Sequence, residues 1–100
     1  MPDIKPHHLD IIQNILSTHL PKTASVWLFG SRASESAKPY SDIDLAINLD
    51  GQALSILLQS TLEHAFENSD LPYKADIVDL NTISKEFKSI IDSTKIKITF

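Results

Sequence analysis

Asp42 and Asp44 lie in the stretch SDIDLAINL, where Ile43, Leu45, Ile47 and Leu49 alternate with Asp42, Asp44, Ala46 and Asn48. This is the pattern of a half-buried strand, on which residues two apart share a face at a spacing of roughly 6.6–7 Å. Aspartate is a poor strand former, and a carboxylate buried without a partner is costly. Two carboxylates held side by side also repel each other unless positive charge is supplied. Mg²⁺ supplies such charge, taking oxygen ligands while keeping positions for water and phosphate. Two of these ions about 3.5–4 Å apart clamp the attacking and leaving oxygens of an in-line phosphoryl displacement. The chemistry that this pair suits is in-line phosphoryl displacement.

A third carboxylate is expected from a neighbouring strand. Tyr73 to Leu80 (YKADIVDL) reads as that strand and carries Asp76 and Asp79 on opposite faces. Tyr73, Ala75 and Ile77 share the face of Asp79 and match the apolar face of the strand at Asp42–Leu49. They therefore belong to the covered core, and Asp76 joins Asp44 on the acidic side. Asp79 falls near the strand end, where water or a helix start can satisfy it.

The other half of the constellation is Gly30-Ser31, which follows the short β-branched and aromatic run ASVWLF. Glycine allows close backbone approach to a ligand, and a helical turn after it aims N–H groups at an anion. Ser31 adds a hydroxyl. Arg32, the single arginine of the chain, makes a bidentate phosphate contact, or simply caps a turn or pairs with Glu35. Ser41 by itself reads as a polar residue entering the strand. Gly-Ser, ten residues and Asp-x-Asp occur together in about one random chain of this length in a thousand. Here both parts also stand in the required places, after a strand and within one.

These residues need a scaffold, and the periodicities outline it. Pro6 to Leu20 is helical through Leu9, Ile12, Leu16 and Leu20; Ala24 to Phe29 is a strand; Ser31 to Ser41 is a loop with room for one helical turn. After the strand at Asp42–Leu49, Asp50-Gly51 turns the chain. Ala53 to Asn68 is a helix with a stripe of Leu54, Leu57, Leu58, Leu62, Ala65 and Phe66. A last helix over Thr82–Ile91 turns Ile83, Phe87, Ile90 and Ile91 inward, with Asn81 or Thr82 as its cap. The tail KIKITF, with Ile96, Ile98 and Phe100, is a short edge strand or a partner-facing tail. The histidines His7, His8, His19 and His64 read as surface or satisfied residues, and Trp27, Phe29, Phe66 and Phe87 as core. The expected fold class is α/β (α+β), with residues 1–100 as a single domain. Its small mixed sheet has helices on the Ile43, Leu45 and Ile47 face and leaves the acidic face open.

Composition narrows the partners. A net charge of −4 with scattered lysines argues against general nucleic-acid binding, so a phosphate ligand should be small and escorted by metal. No apolar run approaches the roughly 20 residues of a membrane span, and the absence of cysteine fits a cytoplasmic location.

"GSRAS…SDIDLAI" resembles the signature of the minimal nucleotidyltransferases in the DNA polymerase β-like superfamily, and "ADIVDL" resembles their third-carboxylate strand. The resemblance implies a small mixed sheet backed by helices that binds Mg-ATP and transfers a nucleoside monophosphate. It implies Asp42, Asp44 and Asp76 as catalytic and metal-holding residues for two Mg²⁺ ions, and Gly30, Ser31, Arg32 and Ser41 around ATP. Standalone bacterial members are typically antitoxins that adenylylate a tyrosine of a HEPN-domain ribonuclease toxin, so the implied partner is a HEPN-type protein in a homo- or hetero-oligomer. One departure concerns the loop: many members continue with Arg-Gly where this chain has Ser34-Glu35, which removes a cation and a flexible residue. The alternative to catalysis is a binding module that neutralises its partner by occlusion.

Overall fold

The computed structural model describes residues 4–34 and 41–100. Helix α1 (Pro6–His19) leads into strand β1 (Ser25–Phe29), which is followed by β2 (Ile43–Asn48), helix α2 (Ile56–Glu67), β3 (Ala75–Asp79), helix α3 (Lys85–Thr94) and β4 (Ile96–Ile98). The four strands form one mixed sheet in the order β3-β2-β1-β4. β1 is antiparallel to both β2 and β4, while β2 and β3 run parallel. The parallel pair requires a crossover, which α2 supplies.

Strand parity follows the sequence pattern. Val26, Leu28, Ile43, Leu45, Ile47 and Ile98 point to one face and are buried there with Ile12 and Leu16 of α1 and Leu62 and Phe66 of α2. Pro6 occupies the first turn of α1, where its missing N–H costs nothing. Asp50 and Gly51 both take positive φ, as the expected turn demands.

The third helix departs from expectation. α3 lies on the opposite face, where Ile91 packs with Phe29 and Ala46, flanked by Val78, Leu80 and Ile83. Helices therefore pack on both sheet faces, not only on the face of Ile43, Leu45 and Ile47. The cap of α3 is Ser84, whose hydroxyl accepts from the Phe87 amide, rather than Asn81 or Thr82. Those two belong to the turn closing β3: the Thr82 amide donates to the Asp79 carbonyl, and the Asn81 side chain donates to Asn48 Oδ1 and to the Gln52 carbonyl. α3 buries Ile91 and leaves Ile90 exposed, while Phe87 is partly exposed with its ring edge to face against Phe29. Leu57 of the α2 stripe is likewise exposed, one residue outside the face that α2 turns to the core.

The tail is absorbed into the fold. β4 pairs with β1, Ile98 enters the core, and Phe100 packs against it. Gln13 and Lys22 donate to the carbonyls of Thr99 and Phe100. Of the two expectations for this segment, the edge strand holds. No helix among the described residues is long and apolar enough to cross a membrane.

Candidate active site

β1 ends where β2 begins, because the two strands are antiparallel. Phe29 therefore sits opposite Asp44, and Gly30 comes to the flank of the Asp44 carboxylate. Gly30 has φ +77°, and a Cβ built on it would collide with Asp44 Oδ2 and lie 3.2 Å from Asp44 Cγ. The glycine is thus required twice, by its backbone conformation and by its neighbour. The chain then makes one helical turn, in which the amides of Ala33 and Ser34 both donate to the Gly30 carbonyl.

Parallel pairing of β2 with β3 sets Asp76 beside Asp44, and a bond from the Ile43 amide to the Lys74 carbonyl (2.8 Å) fixes that register. Asp42 precedes β2 and is exposed, whereas Asp44 and Asp76 are half-buried. The Asp44 carboxyl is pushed above its ordinary range, first by burial, then by the charge of Asp76 and then by that of Asp42. A cation close to all three would reverse that trend. The donor chemistry suits a hard divalent ion, which takes carboxylate oxygens. Among the described residues, however, no three His, Cys, Asp or Glu side chains stand grouped so that they could hold a metal ion.

Lys74, two residues before Asp76 and on the same strand face, brings its ammonium within 3.6 Å of Asp76 Oδ1. The sequence carries this signal in the i, i+2 spacing. The Lys74 side chain is largely exposed and that of Asp76 partly so, and the pair contributes at most about 1 kcal/mol.

Asp79 is placed differently from Asp76. It is buried at the end of β3, where Oδ2 accepts from the Leu54 amide (2.8 Å) and Oδ1 from the Asn81 amide (2.9 Å). It ties the segment before α2 to the turn after β3. Asp79→Asn replaces one acceptor by a donor facing an N–H, and is expected to cost about 1–3 kcal/mol. Thermal melts should show Asp79→Asn falling by several degrees while Asp76→Asn stays near the parent. An unchanged Asp79→Asn melting point would deny the structural role.

Arg32 is buried, and its Nε and Nη2 donate to the Ser41 carbonyl at 3.1 and 2.9 Å. Its guanidinium lies over the Tyr73 ring at 3.9 Å from the centroid, a desolvated cation–π contact of the kind worth about 2 kcal/mol. Two of its donors are therefore spent on the backbone just ahead of Asp42 and are not presented to a phosphate. The expected pairing with Glu35 lies outside the described residues, as does the loop departure at Glu35. The Tyr73 hydroxyl in turn meets Nδ1 of His8 at 2.7 Å, with the two rings edge to face. His8 is buried and hydrogen-bonded, so of the two expectations for the histidines it is a satisfied residue and not a surface one. Its imidazole is held below the ordinary histidine range by burial and then by His7, Lys5 and Arg32. Neither Tyr73 nor His8 stood out in the sequence; the only hint was an aromatic residue three before Asp76.

The family model described as Polymerase beta, Nucleotidyltransferase matches residues 10–99. A protein named Probable protein adenylyltransferase MntA, from Haemophilus influenzae, is 44% identical over 89 residues, covering 89% of this chain and 76% of that protein. Among solved structures, a toxin-antitoxin with AMP-PNP aligns with TM-score 0.76 at 24% identity, over 90% of this chain and 71% of the other. A tri-AMPylated Shewanella oneidensis HEPN toxin in complex with MNT antitoxin aligns with TM-score 0.72 at 21% identity, over 95% and 71%. At those identities the two structures speak for the fold alone. Because the match runs from within α1 through β4, with the Gly-Ser turn and the Asp-x-Asp strand inside it, the chain belongs to the polymerase beta nucleotidyltransferase family, among the minimal nucleotidyltransferases of the MntA type.

Proposed function

We propose that this chain transfers AMP from ATP to a tyrosine hydroxyl of a HEPN-type toxin and thereby acts as its antitoxin. The observation that carries the reading is the packing of Gly30 against Asp44 with Asp76 on the adjoining strand. It brings a phosphate-binding type of turn and a surplus of negative charge to one open end of the sheet. The name of the 44%-identical relative supports protein adenylylation. The AMP-PNP complex and the AMPylated toxin complex among the structural neighbours support ATP as donor and a HEPN toxin as acceptor.

In this reading Asp42, Asp44 and Asp76 hold Mg²⁺, which when bound neutralises the phosphates and lowers the pKa of an oxygen attached to it. Gly30 and Ser31 orient the β- and γ-phosphates of ATP. The acceptor oxygen forms a bond to the α-phosphorus as the bond to the bridging oxygen of the β-phosphate breaks, and pyrophosphate leaves. Asp76, at the rim of the site, takes the hydroxyl proton as general base. Residues 1–100 make up one catalytic domain, working in the cytoplasm with its partner chain.

The test combines the purified chain, Mg-ATP and a purified HEPN-type toxin. Intact-mass analysis should reveal the toxin gaining whole AMP units on a tyrosine, with pyrophosphate released in equal amount. A toxin silenced at unchanged mass would instead establish neutralisation by occlusion.

A further inference from the structure

His8, Arg32, Ser41 and Tyr73 form a corner beside the starts of β2 and β3 that includes no aspartate. It draws on four segments: the first turn of α1, the turn after β1, the residue preceding Asp42, and the residue three before Asp76. The Arg32 guanidinium is the hub. It reaches back along the chain to the Ser41 carbonyl and lies on the Tyr73 ring, whose hydroxyl is held by His8.

A guanidinium bound by two N–H groups to one carbonyl and seated on an aromatic face has little orientational freedom. Ser41 and Asp42 share a peptide bond, so that carbonyl fixes the backbone from which the Asp42 side chain departs. Arg32 itself stands two residues after Gly30, so the same clamp fixes the turn that meets Asp44. Tyr73 orients the clamp and leads directly into β3.

We infer that Tyr73 and Arg32 are positioning residues for nucleotidyl transfer: together they lock the Gly30–Ser34 turn and the start of β2 into one geometry, and Arg32 acts through the Ser41 carbonyl rather than on the nucleotide phosphates. This rests on the nucleotidyltransferase reading above for its kinetic arm only.

The experiment compares Tyr73→Phe, Tyr73→Leu, Arg32→Lys and the double variant Arg32→Lys/Tyr73→Leu in the full chain with its partner. Tyr73→Leu and Arg32→Lys should each lower kcat at least tenfold with the KM for ATP within twofold of the parent. The double variant should be no worse than the poorer single one, because both changes open one clamp. Tyr73→Phe keeps the ring and should retain at least a third of the parent rate. Independently of activity, hydrogen exchange at the amides of Ala33, Ser34 and Ile43 should accelerate at least tenfold in Tyr73→Leu, with those of the β1–β4 pairing unchanged. A raised KM for ATP at unchanged kcat in Arg32→Lys would overturn the inference in favour of a direct phosphate contact, as would losses that multiply in the double variant. Unaltered exchange in folded Tyr73→Leu would overturn it as well. If the parent protein transferred no AMP, the reading of function would fail, and exchange alone would decide the clamp.

Discussion

Asp44→Asn is expected to abolish nucleotidyl transfer while making the metal-free protein more stable. Asp44 is the most confined of the three carboxylates, set between Gly30 on one strand and Asp76 on the next. Its pKa is raised by burial and by the charges of Asp76 and Asp42. A carboxyl whose folded pKa lies above its unfolded value contributes stability below the unfolded pKa and loses it as pH rises through the folded one. At neutral pH the ionised Asp44 therefore costs the fold free energy, and a neutral amide of the same shape removes that cost. The melting temperature of Asp44→Asn should exceed that of the parent without metal, by a margin that grows as pH rises from about 3.8 through the raised value. Removing one charge-stabilising group from a preorganised site lowers turnover by about 10²–10³ at least. Adding Mg-ATP should reverse the stability order. A ligand at 100 times its dissociation constant adds about 2.7 kcal/mol to the parent, and the variant should gain little. Transfer retained within tenfold of the parent, or a metal-free melting point below it, would remove Asp44 from the site.

Gly30→Ala is expected to be nearly as severe in activity, for a geometric reason. At φ +77° an alanine costs about 1–2 kcal/mol of backbone strain, and its Cβ lands on the Asp44 carboxylate. Neither strand can retreat, since Phe29 and Asp44 are paired and Phe29 is buried against α3. The Asp44 side chain must turn aside, and displacement of a reacting constellation by about 1 Å costs about 100-fold in rate. Gly51 supplies the control, because its φ is +78° but nothing stands within 4 Å of a Cβ there. Gly51→Ala should show the strain in a thermal melt and keep its specific activity per folded molecule. If the two variants lose activity equally, the contact with Asp44 is irrelevant to the reaction.

That Asp76 and not Asp79 stands beside Asp44 was legible in the sequence, because it depends on the two-residue period of a strand. Ile43, Leu45 and Ile47 declare one face of β2, which puts Asp44 on the other. Ala75 and Ile77 do the same for β3, and parallel pairing then sets Asp44 beside Asp76. α1 was legible for a similar reason, since a stripe at helical spacing between two prolines has one stable solution.

What the sequence left open was which surfaces meet. The stripe of α3 says that it packs, but not on which sheet face. Ala46, Val78 and Leu80 among the acidic-face positions were the sign that a cover was needed there. Phe87 and Ile90 are apolar like Ile91, and only the crossing of α3 over the sheet decides that Ile91 alone of the three is fully buried. The position of Arg32 is likewise a tertiary outcome. Its phosphate-binding chemistry is intrinsic to the guanidinium, but the groups within reach are decided by contacts between segments far apart in the chain. Residues 8, 32, 41 and 73 converge at one corner only when α1, the turn after β1 and the starts of β2 and β3 close on one another. Local periodicity encodes the direction in which a side chain points; what it meets there is decided by the packing of the whole chain.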